Sequence, residues 1–118
     1  MEERLKVLRE NNIIDQDVHD YCLNVYEGII KREGLDSSAA EVLLTHLAMA
    51  TQRIRNDDVV NAMDDFILDE IKMFADFERV QVLTTEILTD GVVEFPDSEM
   101  QFIWLHLSNV LRENGGDN

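Results

Sequence analysis

Cysteine, proline and glycine are all scarce in this sequence. A single cysteine, Cys22, excludes an intramolecular disulfide framework and fits a chain that works in a reducing compartment. One proline, Pro96, and five glycines leave few obligatory turns, and none of the glycines has the spacing of a loop that cradles nucleotide phosphates. The sequence therefore favours helices and gives no sign of an ATP site.

Long apolar runs and basic residues are also lacking. No run approaches the roughly 20 residues that cross a bilayer, and the first residues lead into no apolar signal core, so we expect a cytoplasmic protein without a membrane partner. Ten Lys and Arg residues stand against 25 Asp and Glu residues, which gives a net charge of −15. Such a chain repels phosphate backbones, which argues against direct nucleic-acid binding and favours a basic protein partner.

Apolar residues recur with helical spacing along most of the 118 residues. The stripes run from Val18 to Ile30, Leu43 to Ile54, Val59 to Ile71, Phe77 to Leu88 and Ile103 to Leu111. Residues 2–12 suit a short additional helix or an extension of the first one, and Gly91–Phe95 is the one segment that suits extended backbone. We expect an all-α, compact bundle of about five helices in a single domain, residues 1–118, with a frayed tail at 113–118.

Several positions are typical of helix ends. Asp15 can cap the start of the first main helix, and Gly34 can adopt the left-handed conformation that stops it. Ser38 has the spacing of a capping box and opens the helix of the second stripe. After Pro96 breaks the helical backbone, either Asp97 or Ser98 can cap the last helix.

Two histidines, His46 and His106, lie on stripes that are otherwise apolar. Helical spacing points both imidazoles inward. A lone histidine on such a face is more often a hydrogen-bonded core residue than a functional one, but two in similar surroundings make the structural interpretation less favoured. The third histidine, His19, is next to Asp20 and fits a hydrogen-bonded or solvated surface role.

The surroundings of both histidines resemble those of a known family. The run His-Leu-Ala-Met-Ala-Thr-Gln-Arg at 46–53 resembles the first signature of the PRD family, regulatory domains of bacterial antiterminators and activators that the phosphoenolpyruvate-dependent sugar phosphotransferase system controls. The run Pro-Asp-Ser-Glu-Met-Gln-Phe-Ile-Trp-Leu-His-Leu at 96–107 resembles the second. One departure is Thr45, where the family commonly has an acidic or amide residue that could orient the imidazole. This departure favours His106 over His46 as the chemically competent histidine.

The resemblance implies a PRD-like helical bundle that forms a homodimer, with His46 and His106 as regulatory phosphorylation sites. It implies a histidine phosphocarrier protein or another phosphotransferase component as the donor, and it implies no cofactor. In larger members of the family the domain controls an attached effector, which is missing from these residues. The resemblance therefore implies transcription regulation through an unknown effector protein in trans.

Arg53 is the candidate residue for contacting a phosphate. It lies two helical turns after His46 on the same face, with the small Ala50 between them. A guanidinium can bind a phosphate through paired, charge-assisted hydrogen bonds. A salt bridge to a carboxylate of a neighbouring helix is an equally weighted alternative, and phosphohistidine could recruit an arginine held in that way.

Two further functions remain open from the residues alone. The chain could be a non-phosphorylated dimerisation or ligand-sensing module whose histidines are structural. Less favoured is a metal-dependent hydrolase built from His46, His106, Glu99 and Glu41, because the spacings typical of helical metal sites are missing. We expect that the protein is not an enzyme.

Overall fold

The chain, seen in a computed structural model, is helical and contains no strand within the residues described, 1–58, 64–89 and 91–113. These residues form six α-helices: α1 Glu2–Glu10, α2 Gln16–Val25, α3 Ser38–Arg55, α4 Asp65–Lys72, α5 Phe77–Thr89 and α6 Asp97–Leu111. A π-helical turn, Tyr26–Ile30, continues α2. The all-α prediction is confirmed, and Gly91–Phe95 forms no strand. The predicted start of the third stripe at Val59 and most of the predicted tail, 114–118, lie outside the described residues.

Two predicted helix ends are confirmed. The Asp15 carboxylate accepts a hydrogen bond of 3.0 Å from the backbone N–H of Val18, so it caps α2. Gly34 has a φ of +69°, which is the left-handed conformation expected after the helix. These two residues delimit α2 and the π-helical turn. No described helix is both long enough and apolar enough to cross a membrane.

Two predicted caps are wrong. α3 does begin at Ser38, but its N-cap is Ser37, whose hydroxyl accepts a 3.3 Å hydrogen bond from a backbone N–H of the first turn. The N-cap of α6 is Pro96, with extended backbone at φ −70° and ψ 161°, and Asp97 and Ser98 are already helical. Proline fits there because its fixed φ suits a helix start and its missing N–H removes no helical hydrogen bond.

The π-helical turn replaces the end of the predicted first helix. The backbone N–H of Lys31 donates to the carbonyl of Tyr26 over 3.0 Å, which closes a wider ring than an α-helical bond. Ile29 and Ile30 of this turn are both buried. The Tyr26 hydroxyl donates to Asp36 over 2.8 Å, so the turn is tied to the loop that precedes α3.

Helix α3 lies at the centre of the core and packs most extensively against α6. Its inward face is completely buried at Leu43, Leu44 and Leu47. Side chains from the other helices pack around this face, among them Leu5, Val18, Ile30, Val80, Ile87, Ile103 and Leu107. Each such side chain stabilises the fold by about 1.5–3 kcal/mol relative to exposure. The packing of α3 on α6 brings the two histidine-bearing helices together.

Candidate functional site

His46 of α3 and His106 of α6 lie next to each other. Their ring centroids are 4.6 Å apart and the ring planes are inclined by 40°. Phe102, one helical turn before His106, also contacts His46, with centroids 5.7 Å apart. The two histidines singled out from the sequence therefore form one feature, which we call the imidazole pair.

A buried carboxylate joins the imidazole pair to the arginine. Glu99, in the first turn of α6, is 1% exposed. One of its oxygens, Oε2, lies 3.0 Å from Nη2 of Arg53, and the other, Oε1, lies 3.5 Å from Nε2 of His46. Arg53 thus forms the salt bridge that the sequence left open as one of two roles for this residue.

The cluster of His46, His106, Arg53 and Glu99 contains polar atoms without a hydrogen-bond partner. Burial of a carboxylate costs several kcal/mol unless a charged or hydrogen-bonding partner offsets it, and here Arg53 is the partner. Within the described part of the chain, Glu99 Oε1, His46 Nε2 and Arg53 Nε are buried without a hydrogen-bond partner. These atoms keep donor and acceptor capacity for a different arrangement of the same side chains.

Burial holds both imidazoles in the neutral form at neutral pH. Desolvation, and then the neighbouring His46, lower the pKa of His106 to about 4. Desolvation is also the main cause that lowers the pKa of His46, and it outweighs the opposing attraction of the Glu99 carboxylate. A neutral imidazole has a ring nitrogen with a free lone pair, so both rings are in the state in which histidine acts as a nucleophile.

A pocket of about 300 Å³ opens beside His106. Its wall includes Ser38, Ala39 and Val42 from the first turns of α3, Asn109 from the last turn of α6, and Glu113, which follows α6. The side chain of His46 is one-fifth exposed. Both rings are therefore reachable at the surface although most of each ring is buried.

Thr45, which departs from the family signature, does not orient His46 by a hydrogen bond. Its hydroxyl donates to the carbonyl of Glu41 over 2.8 Å, one turn earlier in α3. A threonine commonly bonds to its own helix in this way. In this chain the acidic neighbour of His46 is Glu99, which comes from the opposite helix.

Glu99 is the member of this cluster that the sequence predicts least well. From the sequence it is a candidate only for the less favoured metal site. Glu99, Phe102 and His106 follow each other at intervals of three and four residues, which places them on one face of α6, and this spacing was the available signal.

The other sequence candidates lie outside this cluster or form no site. His19 is hydrogen-bonded through Nδ1 to Asp20 over 2.9 Å, in keeping with the role predicted for it. Across 1–58, 64–89 and 91–113, no three His, Cys, Asp or Glu side chains are placed to hold a metal ion.

Comparison with known proteins gives one match. The family model described as PRD domain matches residues 23–110, which is more than half of the chain and includes all four residues of the cluster. The chain matches no curated protein and no solved structure at a significant level.

Proposed function

The chain belongs to the PRD domain family, and from this premise we propose that it is a regulatory module that the sugar phosphotransferase system phosphorylates on histidine. The family is regulatory and not catalytic. The module would act in trans on a partner protein, in the cytoplasm and as a homodimer. The observation that carries the proposal is the pairing of two neutral, partly accessible imidazoles beside an arginine that a buried carboxylate holds.

The chemistry needs only a phosphohistidine donor, such as a histidine phosphocarrier protein. The unprotonated nitrogen of the acceptor imidazole attacks phosphorus, a new N–P bond forms, and the N–P bond of the donor breaks. The donor imidazole regains its nitrogen lone pair. Because the two N–P bonds have similar energies, the acceptor requires neither ATP nor a metal. We propose His106 as the main acceptor, since the pocket of about 300 Å³ lies beside it.

The added phosphate would act as a switch through Glu99. A phosphoryl group on His46, whose Nε2 lies 3.5 Å from Glu99 Oε1, would add close to two negative charges next to the buried carboxylate and offer Arg53 a stronger anionic partner. On His106 the same charge would act through the neighbouring His46 ring. If Arg53 leaves Glu99 for the phosphate, the carboxylate is buried without its counter-ion, which costs about 3–5 kcal/mol. The contact between α3 and α6 would have to rearrange to relieve that cost.

Exposed apolar residues near the imidazole pair support the proposed homodimer. Val42 and Met49 precede and follow His46 by four and three residues, so the three side chains form one stripe along α3. Both apolar side chains are exposed. A second copy packed on this stripe would bury them and would bring the imidazole pair close to the subunit contact, where a phosphate would perturb the dimer.

The test is intact-mass analysis after incubation with phosphoenolpyruvate, the general phosphotransferase enzyme and the histidine phosphocarrier. We expect an acid-labile gain of one phosphate, which His106→Ala should remove almost completely and His46→Ala to a smaller extent. His19→Ala is the matched control and should label like the wild type. Labelling that survives the double replacement of His46 and His106 would contradict the proposal.

Ligand sensing without phosphorylation is the second candidate function. A cavity of about 530 Å³ lies between α2, the π-helical turn and α5, and Tyr21, Gly28 and Arg32 contribute to its wall. Its volume is within the range of small-molecule sites. No labelling under conditions that label another PRD protein, together with a small molecule that raises the unfolding temperature, would favour this candidate.

A further inference from the structure

Helix α4 and its C-cap residue, Met73, carry two large apolar side chains on the side that faces away from the core. Phe66 is 70% exposed and Met73 is 83% exposed. They are seven residues apart, which is nearly two full helical turns, and so they lie on one side of the helix. Ile71, on the other side, is buried. α4 therefore has an inner apolar face, which packs on the bundle, and an unpartnered outer one.

Acidic residues surround the outer apolar pair. Asp69 and Glu70 come between Phe66 and Met73 along the chain and flank them on either side in the helical projection, and both are exposed. We call Phe66, Asp69, Glu70 and Met73 the α4 outer face. The helix contains one basic residue, Lys72, against three acidic ones. The face thus combines apolar area with a negative rim.

The negative rim decides what can cover the face. A second copy docked on the same face would bring two acidic rims into direct contact, and like charges opposed at an interface disfavour association. An anionic lipid surface is repelled for the same reason. A basic segment with an apolar side would match both the charge and the apolar pair.

We propose that the α4 outer face is the docking surface for a basic amphipathic helix of a partner protein. Phe66 and Met73 would hold an apolar side chain of the partner, since methionine and aromatic residues adapt well to apolar contacts. Asp69 and Glu70 would pair with lysine or arginine at the edge. The proposal takes from the proposed function only that the chain acts on a partner protein. α4 packs on α6, so the docking surface is one helix away from Glu99 and His106.

The experiment measures binding of a synthetic amphipathic peptide of about 18 residues, made of Lys and Leu in a helical repeat, by fluorescence anisotropy. Replacing Phe66 and Met73 by serine together should weaken binding about tenfold, because the apolar contact is lost. The matched control replaces Val7 and Val82 by serine. These residues are also exposed but lie on α1 and α5, so the Kd should change less than about twofold. All four positions are exposed, so folding is preserved.

A second pair of variants tests the rim. Asp69→Asn with Glu70→Gln should weaken binding about fivefold and reduce its salt dependence, since two of the charges that attract the peptide are lost. Glu2→Gln with Glu3→Gln removes the same charge from α1 and should have a smaller effect. Equal losses in test and control pairs would show that the peptide binds only through net charge, and that would overturn the proposal.

Two other results also test the docking proposal. If the Phe66 and Met73 replacements turn a dimer into a monomer and leave peptide binding unchanged, a second copy covers the face and the proposal is wrong. Histidine labelling is measured on the same variants. If no histidine is labelled but the peptide still binds at the α4 outer face, the phosphorylation proposal is wrong and the docking proposal is supported. If histidine is labelled but the peptide does not bind at this face, the docking proposal is wrong and the phosphorylation proposal is supported.

Discussion

At the scale of single residues, Glu99 determines how the candidate site is held. Its two carboxylate oxygens face Arg53 and His46, which both come from α3, whereas Glu99 comes from α6. One side chain therefore joins the helices and orders the polar groups between them. A change at this carboxylate should affect both the packing and the proposed response to phosphate.

Replacing Glu99 by glutamine should lower the free energy of unfolding by about 1–2 kcal/mol, because Arg53 then loses its buried ionic partner. The loss stays below that of a fully buried pair, since the Arg53 side chain is 34% exposed and water can partly solvate it. Urea denaturation measures the change. Glu94→Gln, at an exposed position, is the control and should cost less than about 0.5 kcal/mol. Equal losses in the two variants would contradict the role of Glu99.

Acid should destabilise the protein through His106. Its pKa is about 4 in the folded chain and close to 6.5 when unfolded, so between these values the unfolded state binds more protons. Stability is therefore present above about pH 6.5 and lost as the pH falls toward 4. After allowance for partial exposure we expect a loss on the order of 1–2 kcal/mol.

The measurement for His106 compares urea unfolding at about pH 7 and pH 5 for the wild type and for His106→Gln, with pH values chosen to bracket the titration. The variant should lose less stability over this interval. Gln81→Ala, an exposed position without a titratable side chain, is the control and should keep the slope of the wild type. A His106→Gln slope equal to that of the wild type would show that this ring does not titrate between the two states.

Helical spacing predicts which side chains share one face of a helix, but it does not predict which residues of two helices are in contact. His46, His106 and Arg53 could be identified because spacing along one helix tells which side chains share its face. The partner of Arg53 could not be identified, because Glu99 is 46 residues away and the pairing depends on how α6 lies against α3. Thr45 was identified as a departure, but its bond to the α3 backbone is visible only in the structure.

At the scale of helices, the existence of α2 to α6 was predictable, whereas residues 2–12 suited either a short helix or an extension of the next one and form the separate α1. Some helix ends, such as Asp15 and Gly34, were predictable and others were not. The apolar period of α2 continues into the π-helical turn, because buried Ile29 and Ile30 fit either a π-helix or an α-helix. Ser37 and Ser38 are chemically identical candidates for the cap of α3. Only the extended backbone of Ser37, with φ −160° and ψ 177°, decides between them.

Ser37→Ala should therefore destabilise the protein by about 1 kcal/mol, because a backbone N–H at the start of α3 loses its acceptor. Ser38→Ala should cost less than half of that, since the Ser38 hydroxyl bonds to the exposed Glu113 side chain instead. Thermal unfolding of the two variants checks the order. A larger loss for Ser38→Ala would restore the cap assignment made from the sequence.

At the scale of the whole molecule, the excess of negative charge opposes the compact state. The net charge is −15, and the surface ion pairs, such as Arg32 with Glu86 at 2.8 Å, offset little of it. Each exposed pair is worth about 0–1 kcal/mol. The fold therefore depends on its apolar core more than on its surface charges.

Added NaCl should stabilise the protein, because it screens repulsion that outweighs the attractive pairs. We expect the midpoint of urea unfolding to rise between about 0.02 M and 0.5 M NaCl. The variant Asp69→Asn with Glu70→Gln reduces the net charge from −15 to −13, by removal of two carboxylates, and should gain less from salt. A midpoint that falls with salt would mean that ion pairs dominate.

The distance of 4.6 Å between the two imidazole centroids limits how many phosphoryl groups one chain could carry. Two phosphoryl groups at such a separation would repel each other by several kcal/mol even at an effective dielectric constant of about 20. A chain would then carry either no phosphoryl group or one. The second histidine would be an alternative position for that group and would not allow a doubly phosphorylated state. A graded regulatory effect would therefore depend on the fraction of chains in the population that are phosphorylated.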